Sequence, residues 1–151
     1  MIKLLHNKYL LLILRILLAF VFIYAGTEKI SNPSDFSQSI ANYKLLPIFL
    51  VNIFAIILPW IELVSGLLLL FGVAVKENSA IISFLLMIFI IAIVISLIRG
   101  LNIDCGCFGT NTGTKIGFTK LIENFVLLIF SFLLMKYGSD FLTILTFKRN
   151  D

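Results

Sequence analysis

Residues 80–98 read AIISFLLMIFIIAIVISLI, nineteen positions without a charge, a proline or a glycine. The run does not alternate with period two, which speaks against a barrel strand. Coiled as a helix it covers about 28 Å, close to the ~30 Å hydrocarbon core of a bilayer. This one stretch sets the fold class as all-α and integral to a membrane. Composition agrees: of 151 residues, 60% are hydrophobic and 13% charged, where soluble domains have about 45–50% and about 25%. No polar half remains to build a soluble module, and the length suits a single domain spanning 1–151.

Three further apolar runs flank it, at about 9–25, 48–71 and 116–135. Four spans predict a four-helix transmembrane bundle. The first run follows Lys3 and Lys8 in the manner of a secretory signal. It carries Arg15 internally, however, and its far end, Tyr24-Ala25-Gly26-Thr27-Glu28, has no A-x-A cleavage site. A retained helix is expected. Between the first two spans, Pro33 and Pro47 bracket a segment in which Phe36, Ile40 and Tyr43 recur at i, i+4 and i+7. With Ser34 as its cap, this predicts a short interfacial helix in the first outer loop. The apolar piece 141–147 is too short to span and is expected at the inner surface.

Twelve Lys/Arg against eight Asp/Glu give a net charge of +4, and nearly all these charges lie beside the apolar runs. That placement serves anchoring to the lipid bilayer and topology. No basic stripe is interleaved with aromatics, which sets nucleic-acid binding aside. With both termini inside, the inner segments hold Lys3, Lys8, Lys76, Lys136, Lys148 and Arg149, and the outer ones Lys29, Lys44, Arg99, Lys115 and Lys120. Six against five is a weak bias. The N-terminal pair and the Lys148-Arg149 tail favour both termini inside a bacterial inner membrane, with the loop between the third and fourth spans facing the periplasm.

That loop holds the chain's two cysteines, in Asp104-Cys105-Gly106-Cys107-Phe108-Gly109. One reading is a redox dithiol. A Cys-x-Cys disulfide closes a smaller ring than Cys-x-x-Cys, and a strained disulfide is more easily reduced. Gly106 supplies the backbone freedom for so tight a ring. Asp104 disfavours a thiolate unless Lys115, Arg99 or the start of the fourth helix offsets it. A second reading is capture of a soft metal ion by two thiolates. A stable zinc site wants four ligands, and His6 lies towards the other face, so no resident metal is expected. A third is an inert or structural pair, although a bridge across one residue restrains the unfolded chain little.

Two ionisable residues fall inside spans: Arg15 in the first and Glu62 in the second, within Pro59-Trp60-Ile61-Glu62. Counted from the inner ends of antiparallel helices, they come to similar depth, so a buried Arg15–Glu62 pair is expected. It would fix helix register, or it would serve as a proton relay or a hydrogen bond to a quinone. Pro59 frees a backbone carbonyl one turn earlier. Trp60 either stacks on a ring or packs. Gly66 and Gly72 are expected to let helices approach closely.

The residues also carry a family pattern. Tyr24-Ala25-Gly26 followed by Lys29-Ile30 and Pro33, then Tyr43-Lys44-Leu45-Leu46-Pro47, resembles the DoxX-like membrane proteins. Pro59-Trp60-Ile61-Glu62 with Gly66, Gly72 and the Cys-Gly-Cys-Phe-Gly element is similar to the methylamine-utilisation MauE branch of that group. The resemblance runs from about Arg15 to Asn124. It implies a four-helix membrane protein associated with redox maturation of exported proteins, in the context of methylamine metabolism. The bundle is also similar to quinone-coupled disulfide oxidases, which carry Cys-x-x-Cys and commonly a second pair that this chain lacks.

The resulting expectation is a membrane thiol–disulfide redox component. Cys105 and Cys107 exchange with a separate thioredoxin-like protein, and a quinone serves as membrane carrier near Glu62, Trp60 and Arg15. A soft-metal binder or transporter, and a non-catalytic assembly subunit, are the alternatives.

Overall fold

The computed structural model describes residues 8–100 and 118–138. The Cys105–Cys107 pair, the 141–147 piece and the first two positions of the fourth expected span lie outside the described residues. Within them the chain forms five helices: α1 Lys8–Ser31, α2 Pro33–Asn42, α3 Ile48–Leu70, α4 Val75–Ile98 and α5 Phe118–Tyr137. Helices α1, α3 and α4 are each long and apolar enough to cross a membrane. Helix α5 packs along α4, and α1 packs most extensively along α3. Among the described residues the chain is all-helical, a multi-pass membrane protein with the four long helices and one short one that the sequence predicts.

The long helices alternate in direction, so that α2, the start of α3, the end of α4 and the start of α5 share one end of the bundle. Two helices outrun their apolar runs: α1 continues from Ala25 to Ser31, and α4 starts five residues before Ala80. Asn32 and Pro33 close α1. Proline then suits the first turn of α2, where no amide hydrogen is needed. The α2 cap differs from the expectation: the N-cap is Asn32, without a side-chain capping bond, and Ser34 Oγ lies 3.4 Å from Asp35 Oδ1 instead. Phe36 and Tyr43 are buried and Ile40 is half-buried, as their spacing predicts.

The two glycines singled out in and just after α3 do different work. A Cβ on Gly66 would stand 3.0 Å from the Ile23 nitrogen and 3.1 Å from the Ala19 oxygen, so this glycine does admit α1. Gly72 instead ends the helix. It has φ +71, its N–H donates to Leu69 O, and the Val73 N–H donates to Leu68 O. Those two bonds are the Schellman pattern, in which a left-handed residue satisfies the last carbonyls. The Asn78 side chain then donates to the Val73 and Ala74 carbonyls and holds the tight turn into α4.

The main core joins Leu18, Phe22, Leu69, Ile82, Leu86 and Leu134. Polar packing adds to it between α4 and α5: Ser83 Oγ donates to Ser131 Oγ, which donates to the Ser79 carbonyl. At the α2 end a smaller cluster forms on Tyr43 and Ile93 with Phe89, Ala92 and Leu121. The Arg99 guanidinium donates to the Tyr43 carbonyl there. Large apolar side chains elsewhere face outward, Trp60 (54% exposed) among them. In a bilayer these faces meet lipid.

Candidate functional site

Glu62 is buried, and its partner is Lys29. The Lys29 ammonium donates to Glu62 Oε1 at 2.7 Å and to Oε2 at 2.8 Å, with side-chain exposures of 0% and 2%. The expected Arg15–Glu62 pair does not form, and the reason is register. Gly26 faces Pro59 O and Leu63 N, while Gly66 faces Ala19 and Ile23. Facing positions on α1 and α3 therefore sum to about 88. Lys29 comes level with position 59, and its side chain spans the remaining few ångströms. Arg15 comes level with the turn after α3, about 16 Å from Glu62 along the axis. The two helices are staggered, whereas the sequence argument placed their ends at one height.

Two aromatic rings complete the enclosure. The Lys29 Nζ lies 5.0 Å from the Phe36 ring centre and 4.9 Å from that of Phe89. Both distances are within cation–π range. Each of the first four helices thus contributes one residue: Lys29 from α1, Phe36 from α2, Glu62 from α3 and Phe89 from α4. The ammonium's donors meet the carboxylate and two π faces, and α2 supplies the cover. A desolvated acid–base pair of this kind can hold or pass a proton without net charge in the membrane interior.

Of the site residues expected from sequence, Glu62 alone lies in this cluster, where Phe36 of the predicted short helix joins it. Trp60 sits two positions away, a half-turn round α3, and faces outward; it does not join the site. Arg15 is buried at the opposite end of the bundle. Cys105 and Cys107 are outside the described residues. Lys29 was missed because it lies beyond the apolar run and reads as a loop cation. Its signal was the spacing Gly26-x-x-Lys29, which puts the lysine on the face that the glycine presses against α3.

Beside the cluster, a cavity of about 320 Å³ opens between α3 and α4 near the α2 end, with Phe89 and Tyr43 in its wall. Burial pushes the Tyr43 phenol up to about 12 from its ordinary 10.0. The folded state keeps this phenol neutral. Its contribution to stability is fully present below about pH 10 and is lost as pH rises towards about 12. An alkaline absorbance titration should show one of the four tyrosines ionising last, with that step missing in Tyr43→Phe. A single step near pH 10 for all four would contradict the burial.

A helical multi-pass membrane protein with a sealed acid–base pair under a short capping helix is the class these observations define. The family model of the methylamine utilisation protein MauE matches residues 7–137, and the chain belongs to that family. Relatives bearing that name are 36% identical over 107 residues in Methylophilus methylotrophus, covering 70% of this chain and 56% of the relative. In Paracoccus denitrificans the figures are 29% over 115 residues, 76% and 62%. In Methylorubrum extorquens they are 32% over 101 residues, 66% and 54%. The match thus spans little more than half the length of these relatives. No solved structure matches the chain.

Proposed function

We propose that this protein is a membrane thiol–disulfide redox component of the MauE type, serving the maturation of exported proteins. Cys105 and Cys107 cycle between dithiol and disulfide and exchange with a thioredoxin-like partner, which takes the place of a second internal cysteine pair. A quinone in the membrane is the other electron carrier. Exchange proceeds by attack of a thiolate on a disulfide sulfur, through a mixed disulfide that the second thiolate resolves. In either direction two electrons and two protons move between dithiol and quinone.

One observation carries this reading. The two flanks of the cysteine-bearing segment, the end of α4 and the start of α5, lie at the same end of the bundle as α2 and the Lys29–Glu62 pair. A sealed proton-holding pair at that end suits a reaction in which protons accompany electrons. Orientation in a bacterial inner membrane follows the same reading. With Lys29 buried in α1, the outer loops keep four cations, Lys44, Arg99, Lys115 and Lys120, against six inside. The bias then favours the cysteine segment on the periplasmic side.

Alkylation of membranes with a mass tag, before and after mild reduction, tests the proposal. The pair is expected to shift between two tagged states, and Cys105→Ser or Cys107→Ser is expected to trap a mixed disulfide with a thioredoxin-like protein. A pair that never changes state, with no trapped partner, would sink it. Metal bound stoichiometrically and lost on Cys105→Ser would favour metal handling instead.

A further inference from the structure

We infer that α2 is a gate that opens the sealed Lys29–Glu62 pair to water, with Phe36 as its plug and the Arg99–Tyr43 bond as its catch. The inference stands apart from the thiol chemistry proposed above and concerns how the pair exchanges protons. At side-chain exposures of 0% and 2%, neither partner meets water while α2 is in place.

The long helices around the pair are firmly set. Helices α1 and α3 meet backbone to backbone at Gly26 and Gly66. Phe89, the cover from α4, packs against both apolar clusters of the bundle. Phe36 is only 2% exposed, yet among the described residues it belongs to neither cluster. Its ring rests on the Lys29 ammonium instead.

Helix α2 is tied down lightly. Its own side chains bond within it: Ser37 Oγ donates to Ser34 O, Ser39 Oγ to Asp35 O, and Gln38 Nε2 to Asn42 Oδ1. Just beyond it, the Arg99 guanidinium at the end of α4 holds the Tyr43 carbonyl at a long 3.3 Å. The helix also lies between two backbone breaks. Asn32 leaves the helical region at φ −128, ψ 65, and Lys44 is left-handed at φ +51. A left-handed lysine stores strain, and element-terminal positions of this kind absorb the dihedral change of a hinge. Between these joints α2 can roll, lifting Phe36 off the ammonium while Tyr43 stays against Ile93. Water is close at hand, because Ser34, Asp35 and Gln38 are exposed on the same short helix. Once wet, the pair takes up a proton at the Glu62 carboxylate or gives one up from the Lys29 ammonium, with water as donor or acceptor.

The test is a direct cross-link between the two partners, made on the full chain in nanodiscs. A water-soluble carbodiimide activates a wetted carboxylate, the neighbouring amine displaces it to form an amide, and the reagent leaves as a urea carrying the oxygen. With Lys29 Nζ 2.7 Å from Glu62 Oε1, an activated Glu62 has its amine at hand, and peptide mass mapping reads the link. The link is expected to form slowly in the parent chain and about tenfold or more faster in Phe36→Ala. Leu134→Ala, which opens the core at the opposite end of the bundle, is expected to leave the rate unchanged. A rate in Phe36→Ala no higher than in the parent would overturn the gate. So would an equal rise in Leu134→Ala, which means general loosening, or a link made only by a lipid-soluble carbodiimide, which means access from the bilayer. If Phe36→Ala does not accumulate, Arg99→Ala decides in its place, with the same expected rise and the same overturning results. No thiol takes part, so failure here leaves the redox proposal standing, and failure of thiol cycling leaves the gate.

Discussion

Lys29→Met is expected to destabilise the protein by about 3–5 kcal/mol, the usual cost of removing one member of a buried ion pair. Glu62 would be left without its partner at a position 1% exposed. Glu62→Leu is expected to cost a similar amount by stranding the ammonium between Phe36 and Phe89. The double variant Lys29→Met, Glu62→Leu should recover more than half of either loss, because no uncompensated charge remains. Denaturant unfolding in a mild detergent, followed by helical circular dichroism, gives the three values and their coupling. Strictly additive losses would show that the two residues do not act as a pair. A stable double variant that no longer supports quinone-linked thiol oxidation would separate the chemical role of the pair from its structural one.

Gly26→Ala is the second substitution expected to have a large effect. A methyl group there would sit 2.9 Å from both Leu63 N and Pro59 O. These are backbone atoms of a helix and cannot turn aside as a side-chain end can. The helices must separate, at a cost of about 1–3 kcal/mol for such overpacking. The consequence reaches further than packing, because the same contact sets the height of Lys29 against Glu62. In the Gly26→Ala background, Lys29→Met should cost clearly less than it does in the parent chain. An unchanged cost would mean that the glycine contact does not govern the register. Measurement is again by unfolding in detergent, with cross-linking of cysteines introduced at Ile23 and Val64, on α1 and α3, as an independent reading of helix separation.

The number and type of long helices were legible in the sequence because a bilayer demands uninterrupted apolar runs, and 48–71 and 80–98 offer little else. Helix ends were less legible. Polar residues such as Lys76, Glu77 and Lys29 stop an apolar count without stopping a helix. Only a backbone event does that: Pro33 after α1, or the left-handed Gly72 after α3. The partner of Glu62 was not legible either. Depth along one helix can be counted from its own residues, but stagger between two helices is a property of their contact. Here that contact is written in Gly26 and Gly66, whose meaning appears only when the facing backbone is known. Trp60 illustrates the converse. Its closeness to Glu62 in sequence suggested a shared site, while 100° per residue carries it round to the lipid side.

The stagger of α1 against α3 bears on how the chain enters the bilayer. Lys29 lies two residues from the end of α1, where a long side chain can reach the headgroups while that helix stands alone. Glu62 has no such exit: it is fourteen residues from one end of α3 and eight from the other. Inserting that carboxylate into a bilayer by itself is unfavourable by a few kcal/mol. With α1 already in place, its lysine can swing inward as α3 arrives, and the two charges enter hydrocarbon as a neutral unit. The bond between them thus acts as a latch across the first hairpin, offsetting for α3 the cost of carrying its carboxylate into hydrocarbon.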